Sequence, residues 1–112
     1  MSIRLEKDWQ LLCPENISVL EAQLGVYQLA DASHRVVFIG YAGARSLFGL
    51  RSTLMEEFDK LGTQLRYFRV EVNMQYISRF EELLMLHIAD YGALPESNQH
   101  LDQTRFGKLT PV

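Results

Sequence analysis

Two short motifs raise the first question of chemistry. Gly25-Val26-Tyr27 and Phe38-Ile39-Gly40 each pair a glycine with an aromatic residue, and ten residues lie between Tyr27 and Phe38. A lone triplet of this kind carries no signal, but two of them flanking a hairpin are moderately specific. A free tyrosine titrates near ~10, so it is a poor base at neutral pH unless a cation or metal lowers it. A bound metal ion can both acidify water and neutralise a developing oxyanion. The basic residues are lopsided, eight Arg against three Lys. Arginine forks match phosphate oxygens bidentately, although ordinary surface ion pairs use the same residues. Cys13 is the only cysteine, so neither a disulfide framework nor a cysteine-based metal cluster can be built, and it reads as a small hydrophobe.

The elements that must position these residues follow from periodicity. Residues 25–30 and 35–40 are rich in β-branched and aromatic side chains, and Asp31 to His34 between them are turn-prone, which predicts an antiparallel hairpin. Leu47, Leu50, Leu54, Phe58 and Leu61 recur at spacings of three and four, predicting a helix from Arg45 to Leu61 that stops at Gly62. From Leu65 to Asn73 the chain alternates, with Phe68, Val70 and Val72 on one face and Tyr67, Arg69 and Glu71 on the other. A second amphipathic helix spans Tyr76 to Tyr91, with Phe80, Leu83, Leu84, His87 and Tyr91 on its stripe and Gly92 beyond it. The expected fold is α+β, a small three-stranded antiparallel sheet flanked by helices in the order β-β-α-β-α. Residues 1–24 form a lead-in packed on the domain with a short helix after Pro14, 25–98 the domain proper, and 99–112 a polar tail.

Over residues 24–98, the paired motifs, their spacing and this element order resemble the GIY-YIG nuclease superfamily. The resemblance is nearest to the nuclease domain of bacterial nucleotide-excision repair endonucleases. It implies metal-dependent hydrolysis of a phosphodiester in nucleic acid, DNA foremost, with one divalent ion, magnesium or manganese. Tyr27 would help activate the attacking water. An arginine on the following helix would stabilise the phosphate, and a glutamate on the later helix would hold the metal. Arg51 is preferred to Arg45 because it borders the apolar stripe four residues after Leu47, where a long side chain can present its head at the sheet edge. It falls about three residues later after the glycine than the repair nuclease places it, a shift the stretch YAGARSLFG can absorb. Glu81 is preferred to Glu82, since it stands beside Ile88 at the stripe margin and starts a Glu-x-x-Leu-Met run like the family's own. The family's later asparagine corresponds to Asn98, displaced by several residues. Phe38 stands where the family has a second tyrosine, and Tyr41 stands where the repair nuclease has a lysine; Tyr41 could return a hydroxyl to the site. Arg45, Arg66 and Arg69 are the expected nucleic-acid contacts besides Asn98. Arg51 and Glu81 also read as ordinary solvated helix charges, and His87 as a satisfied core histidine.

Net charge is −3, so any hold on nucleic acid must come from a local arginine patch rather than from the overall field. No apolar run approaches the roughly 20 residues of a membrane helix and the N-terminus has no signal-peptide core, so cytoplasmic residence without a membrane partner is expected. Met85 and Leu86 lie off the main stripe of the second helix. They would suit a homodimer or protein partner, or burial under residues 1–24. Two other functions compete with cleavage: a module of the same fold that binds nucleic acid or protein without cutting, and a small oligomerising structural protein.

Overall fold

The computed structural model describes residues 4–20, 22–43, 49–61 and 65–101. Arg45, Leu47, Gly62 and tail residues 102–112 lie outside them. The fold is α+β. In chain order it runs β1 (Gln10–Leu11), α1 (Pro14–Ser18), β2 (Gly25–Ala30), β3 (Val36–Ala42), α2 (Gly49–Leu61), β4 (Tyr67–Val72), α3 (Tyr76–Tyr91) and a 3-10 turn at Glu96–Asn98.

The hairpin, the third predicted strand and the second helix form where the apolar patterns place them. The sheet, however, has four strands and not three, in the order β1-β4-β2-β3 with every pairing antiparallel. The extra strand pairs Gln10 with Phe68 and Leu11 with Tyr67. Two exposed residues leave no alternation by which to recognise a strand.

All six residues of β2 are buried, because helices cover both faces of the sheet. Tyr27, Leu29 and Phe68 face Leu50 and Leu54 of α2 and Ile17 of α1. Val26 and Ile39 face Leu83 and Leu84 of α3. The lead-in seals this second layer. Leu5 enters its core, and Arg4 forks onto Asp90 near the end of α3, Nε to Oδ2 at 3.0 Å and Nη2 to Oδ1 at 2.7 Å. Leu86 is buried and shares a cavity wall with Leu5, while Met85 packs on the same core. The apolar residues off the stripe of α3 are thus covered within the chain.

The hairpin turn is held by Asp31, whose Oδ1 accepts from the N–H groups of Ser33 at 2.9 Å and Arg35 at 3.0 Å. His34 takes a left-handed φ of 64° there, a conformation histidine adopts more readily than bulkier side chains. At the same end of the layer, Gly92 ends α3 at φ 81° and donates its N–H to the Ile88 carbonyl at 2.7 Å. No helix among the described residues is long and apolar enough to cross a membrane.

Candidate functional site

Tyr27 and Gly40 face each other across the β2–β3 pairing. A Cβ on Gly40 would lie 2.4 Å from Tyr27 Oη and 2.5 Å from Cζ, so only a residue without a side chain lets the phenol lie across β3. Phe38 flanks it on the same face, ring centroids 6.0 Å apart. Tyr41 belongs to the opposite face of β3, stacked on Tyr76 at 5.5 Å and edge-on to Phe80 at 4.9 Å.

Because β3 is the outer strand, the two faces meet in one groove along its edge. This groove has a volume of about 470 Å³, and Tyr27, Phe38, Gly40, Tyr41, Ile77, Phe80, Glu81 and Asn98 line it together with His100. Tyr27, Tyr41 and Glu81, separated by up to 54 residues of sequence, are therefore brought together. Tyr27 contributes only a rim, being 2 % exposed, whereas Tyr41 is 42 % exposed.

Asn98 is present at the groove but does structural work. Its Oδ1 accepts from the Ile39 N–H at 2.8 Å and its Nδ2 donates to the Ile39 carbonyl at 2.9 Å. One side-chain amide thereby closes the two-bond ring that a further antiparallel strand would make.

Behind Tyr27 stands a residue that sequence reasoning passed over. The Glu57 carboxylate of α2 stands beside the phenol. Burial, then the Glu57 charge and its interaction with the hydroxyl, push the phenol well above its ordinary value. Burial also raises Glu57, against the opposing effects of Lys60 and the Tyr27 hydroxyl. The signal was available: Leu50, Leu54 and Glu57 follow the i, i+4, i+7 spacing, which puts a carboxylate on the apolar stripe of α2.

The remaining site candidates lie elsewhere. Arg51, half-buried in the first turns of α2, is not among the residues lining the groove. Arg66 is exposed at the hairpin-turn end of the sheet, where its N–H donates to the Ala30 carbonyl. Arg69 pairs across strands, Nε donating to Gln28 Oε1 at 2.8 Å, with its guanidinium 4.1 Å above Trp9. Glu82 and Glu71 are both bound by Arg79, and neither lines the groove, whereas Glu81 does. Burial alone would raise Glu71, but hydrogen bonds from Arg79 and Asn73 outweigh it and hold the carboxyl below its ordinary value.

Among the described residues no group of three or more His, Cys, Asp or Glu side chains could hold a metal ion by itself. Magnesium, however, keeps several waters and usually takes one or two carboxylates plus substrate phosphates. Glu81 is the one carboxylate among the described residues lining the groove, and it does not form a closed protein cage.

A family model described as "Domain of unknown function (DUF7508)" matches residues 3–90. No curated protein and no solved structure matches the chain.

Proposed function

The chain belongs to the DUF7508 family, whose description assigns no chemistry, and from its own geometry we propose that it is a GIY-YIG-type phosphodiesterase acting on nucleic acid with one divalent cation. The observation that carries this reading is the shared groove of Tyr27, Tyr41 and Glu81 at the edge of β3. Magnesium or manganese at Glu81 would supply a Lewis acid and offset charge on the phosphate. Tyr27 cannot serve as a free phenolate base, since burial and Glu57 disfavour its anion. It works instead as a relay: its oxygen takes a proton from water while its own proton passes to Glu57. Glu57 suits the end of that relay, because burial makes it a stronger base than an exposed carboxylate. Tyr41, stacked and part exposed, offers an aromatic face and a hydroxyl to the substrate.

A second reading, a module that binds without cleaving, is favoured by Phe38, which packs a ring against Tyr27 where the resemblance calls for a second hydroxyl. Cleavage of single-stranded, double-stranded and branched DNA, with magnesium, manganese or chelator, separates the two. The phosphodiesterase reading expects metal-dependent cleavage that Glu81→Gln abolishes. Tyr27→Phe and Glu57→Gln should each slow it about 10²-fold, and the double variant little further, because both break one relay. Purified, folded protein that cuts none of these substrates with either metal leaves the binding module.

A further inference from the structure

At the hairpin-turn end of the α3 layer lies a cleft that shares no lining residue with the groove at the edge of β3. Its volume is about 570 Å³, within the ~300–1,000 Å³ common for small-molecule sites. Arg35, Arg69, His34 and His87 line it, and none of its described lining residues carries a carboxylate, although the chain is net acidic. The nearest acids are engaged or displaced. Asp31 is held in its turn by the N–H groups of Ser33 and Arg35, Asp90 is forked by Arg4, and Glu6 lines a neighbouring cavity that shares Arg69 and His87 with the cleft.

Arg69 is fixed rather than mobile in its orientation. Nε is on Gln28, Nη1 donates to the Lys7 carbonyl at 3.2 Å, and Trp9 supports the plane of the guanidinium, which leaves Nη2 with no protein acceptor among the described residues. Burial holds this cation below its ordinary value against the pull of Glu6, the mark of a half-desolvated charge. His87 is oriented too: Nδ1 lies 2.9 Å from the Ala93 carbonyl oxygen and donates to it, which leaves Nε2 of the neutral ring as an acceptor on the cleft wall. Tyr91, 74 % exposed and tilted against His87 at 4.6 Å, supplies an aromatic wall.

We propose that this cleft binds the phosphate of a small phosphorylated molecule, clamped between Arg35 and Arg69 with the Ser33 hydroxyl as a polar partner. Two arginine forks suit phosphate oxygens, and the volume leaves space for the rest of the molecule against Tyr91. A long polyanion fits less well, since these cations are confined to one cleft of an acidic chain. The inference goes beyond the cleavage reading and stands whether or not the groove cuts.

The test is calorimetric titration of the full chain with adenosine monophosphate, inorganic phosphate, adenosine and a single-stranded oligonucleotide, all at one ionic strength. Binding of the monophosphate or of phosphate, without binding of adenosine, is expected. Arg35→Gln should weaken it about tenfold through loss of a charge-assisted contact, while Arg66→Gln and Glu81→Gln leave it unchanged. Arg69→Gln should weaken it similarly, and exposed Arg35 provides the variant least able to disturb folding. No binding of either phosphate probe at about 10 mM would overturn the proposal. So would a loss in Arg66→Gln as large as in Arg35→Gln, or binding of the oligonucleotide alone, since each describes a diffuse surface and not a clamp.

Discussion

Asn98 is the most economical place to test how β3 is held. It is 1 % exposed, and both of its amide groups bind one residue, Ile39. Replacing it with alanine leaves the Ile39 N–H and C=O without their partner, at about 1–3 kcal/mol for each unsatisfied group. A loss of roughly 3 kcal/mol is expected, a large part of the ~5–15 kcal/mol that holds a domain together. For a chain of this size that lowers Tm by roughly 12–18 °C. Asn98→Asp separates the two bonds. The new carboxylate can still accept from the N–H, but it sets a second acceptor against the Ile39 carbonyl; protonation restores the donor. Its folded-state pKa must therefore rise above the unfolded ~3.9, so that stability is greatest below that pH and falls as pH rises through the folded value. Urea unfolding of parent, Asn98→Ala and Asn98→Asp at pH 3.5 and pH 7 reads both effects. The reasoning is refuted by a cost below about 1 kcal/mol for the alanine variant, or by an Asp-minus-Ala difference that does not change with pH.

Gly40→Ala should cost about 1–3 kcal/mol, because its Cβ would sit 2.4 Å from Tyr27 Oη and 2.8 Å from a Phe38 ring carbon. Thermal melts of a double-mutant cycle with Tyr27→Ala should show the penalty shrinking once the ring is gone; an additive cycle contradicts the contact. The Glu71 carboxyl, held low by Arg79 and Asn73 against the effect of burial, contributes stability that is present above the unfolded ~4.5 and lost as pH falls through its folded value. Arg79→Met should flatten the unfolding free energy between about pH 3 and 5, and an unchanged acid limb would refute the pairing.

The backbone plan was legible because β2 and β3 are β-branched and aromatic runs on either side of a turn-prone Asp31 to His34, while β4 and α3 each display a clean period that burial on the sheet enforces. β1 was not, since it forms only when β4 offers an edge to two otherwise unremarkable residues. In the candidate site, Tyr27, Tyr41 and Glu81 could be named from the motif resemblance, but their convergence depends on β3 being the outer strand, which no local pattern records. Asn98 was read as a ligand contact because a buried side-chain amide and a binding one look alike in sequence; only the position of Ile39 distinguishes them. Glu57 fills a position on the α2 stripe that Leu50 and Leu54 define, and an acid there escapes a search for apolar residues alone. Arg69 was assigned to nucleic acid from its charge, while its orientation by Gln28, Lys7 and Trp9 emerges only across elements far apart in sequence.

The complete burial of β2 bears on how the protein would fail. Gly25 to Ala30 is an uncharged, proline-free run with three large apolar or aromatic residues, the composition that self-associates into cross-β assemblies when exposed. In the fold it is paired on both sides, by β3 and by β4, and covered on both faces, so no other chain can reach its backbone. The sheet's outer strands carry different protection: β1 is only two residues long, and β3 has its Ile39 amide and carbonyl capped by Asn98. Substitutions that loosen β3 therefore uncover the segment most prone to fibrillar growth, and such variants should be lost from solution as aggregates at temperatures where the parent still unfolds reversibly.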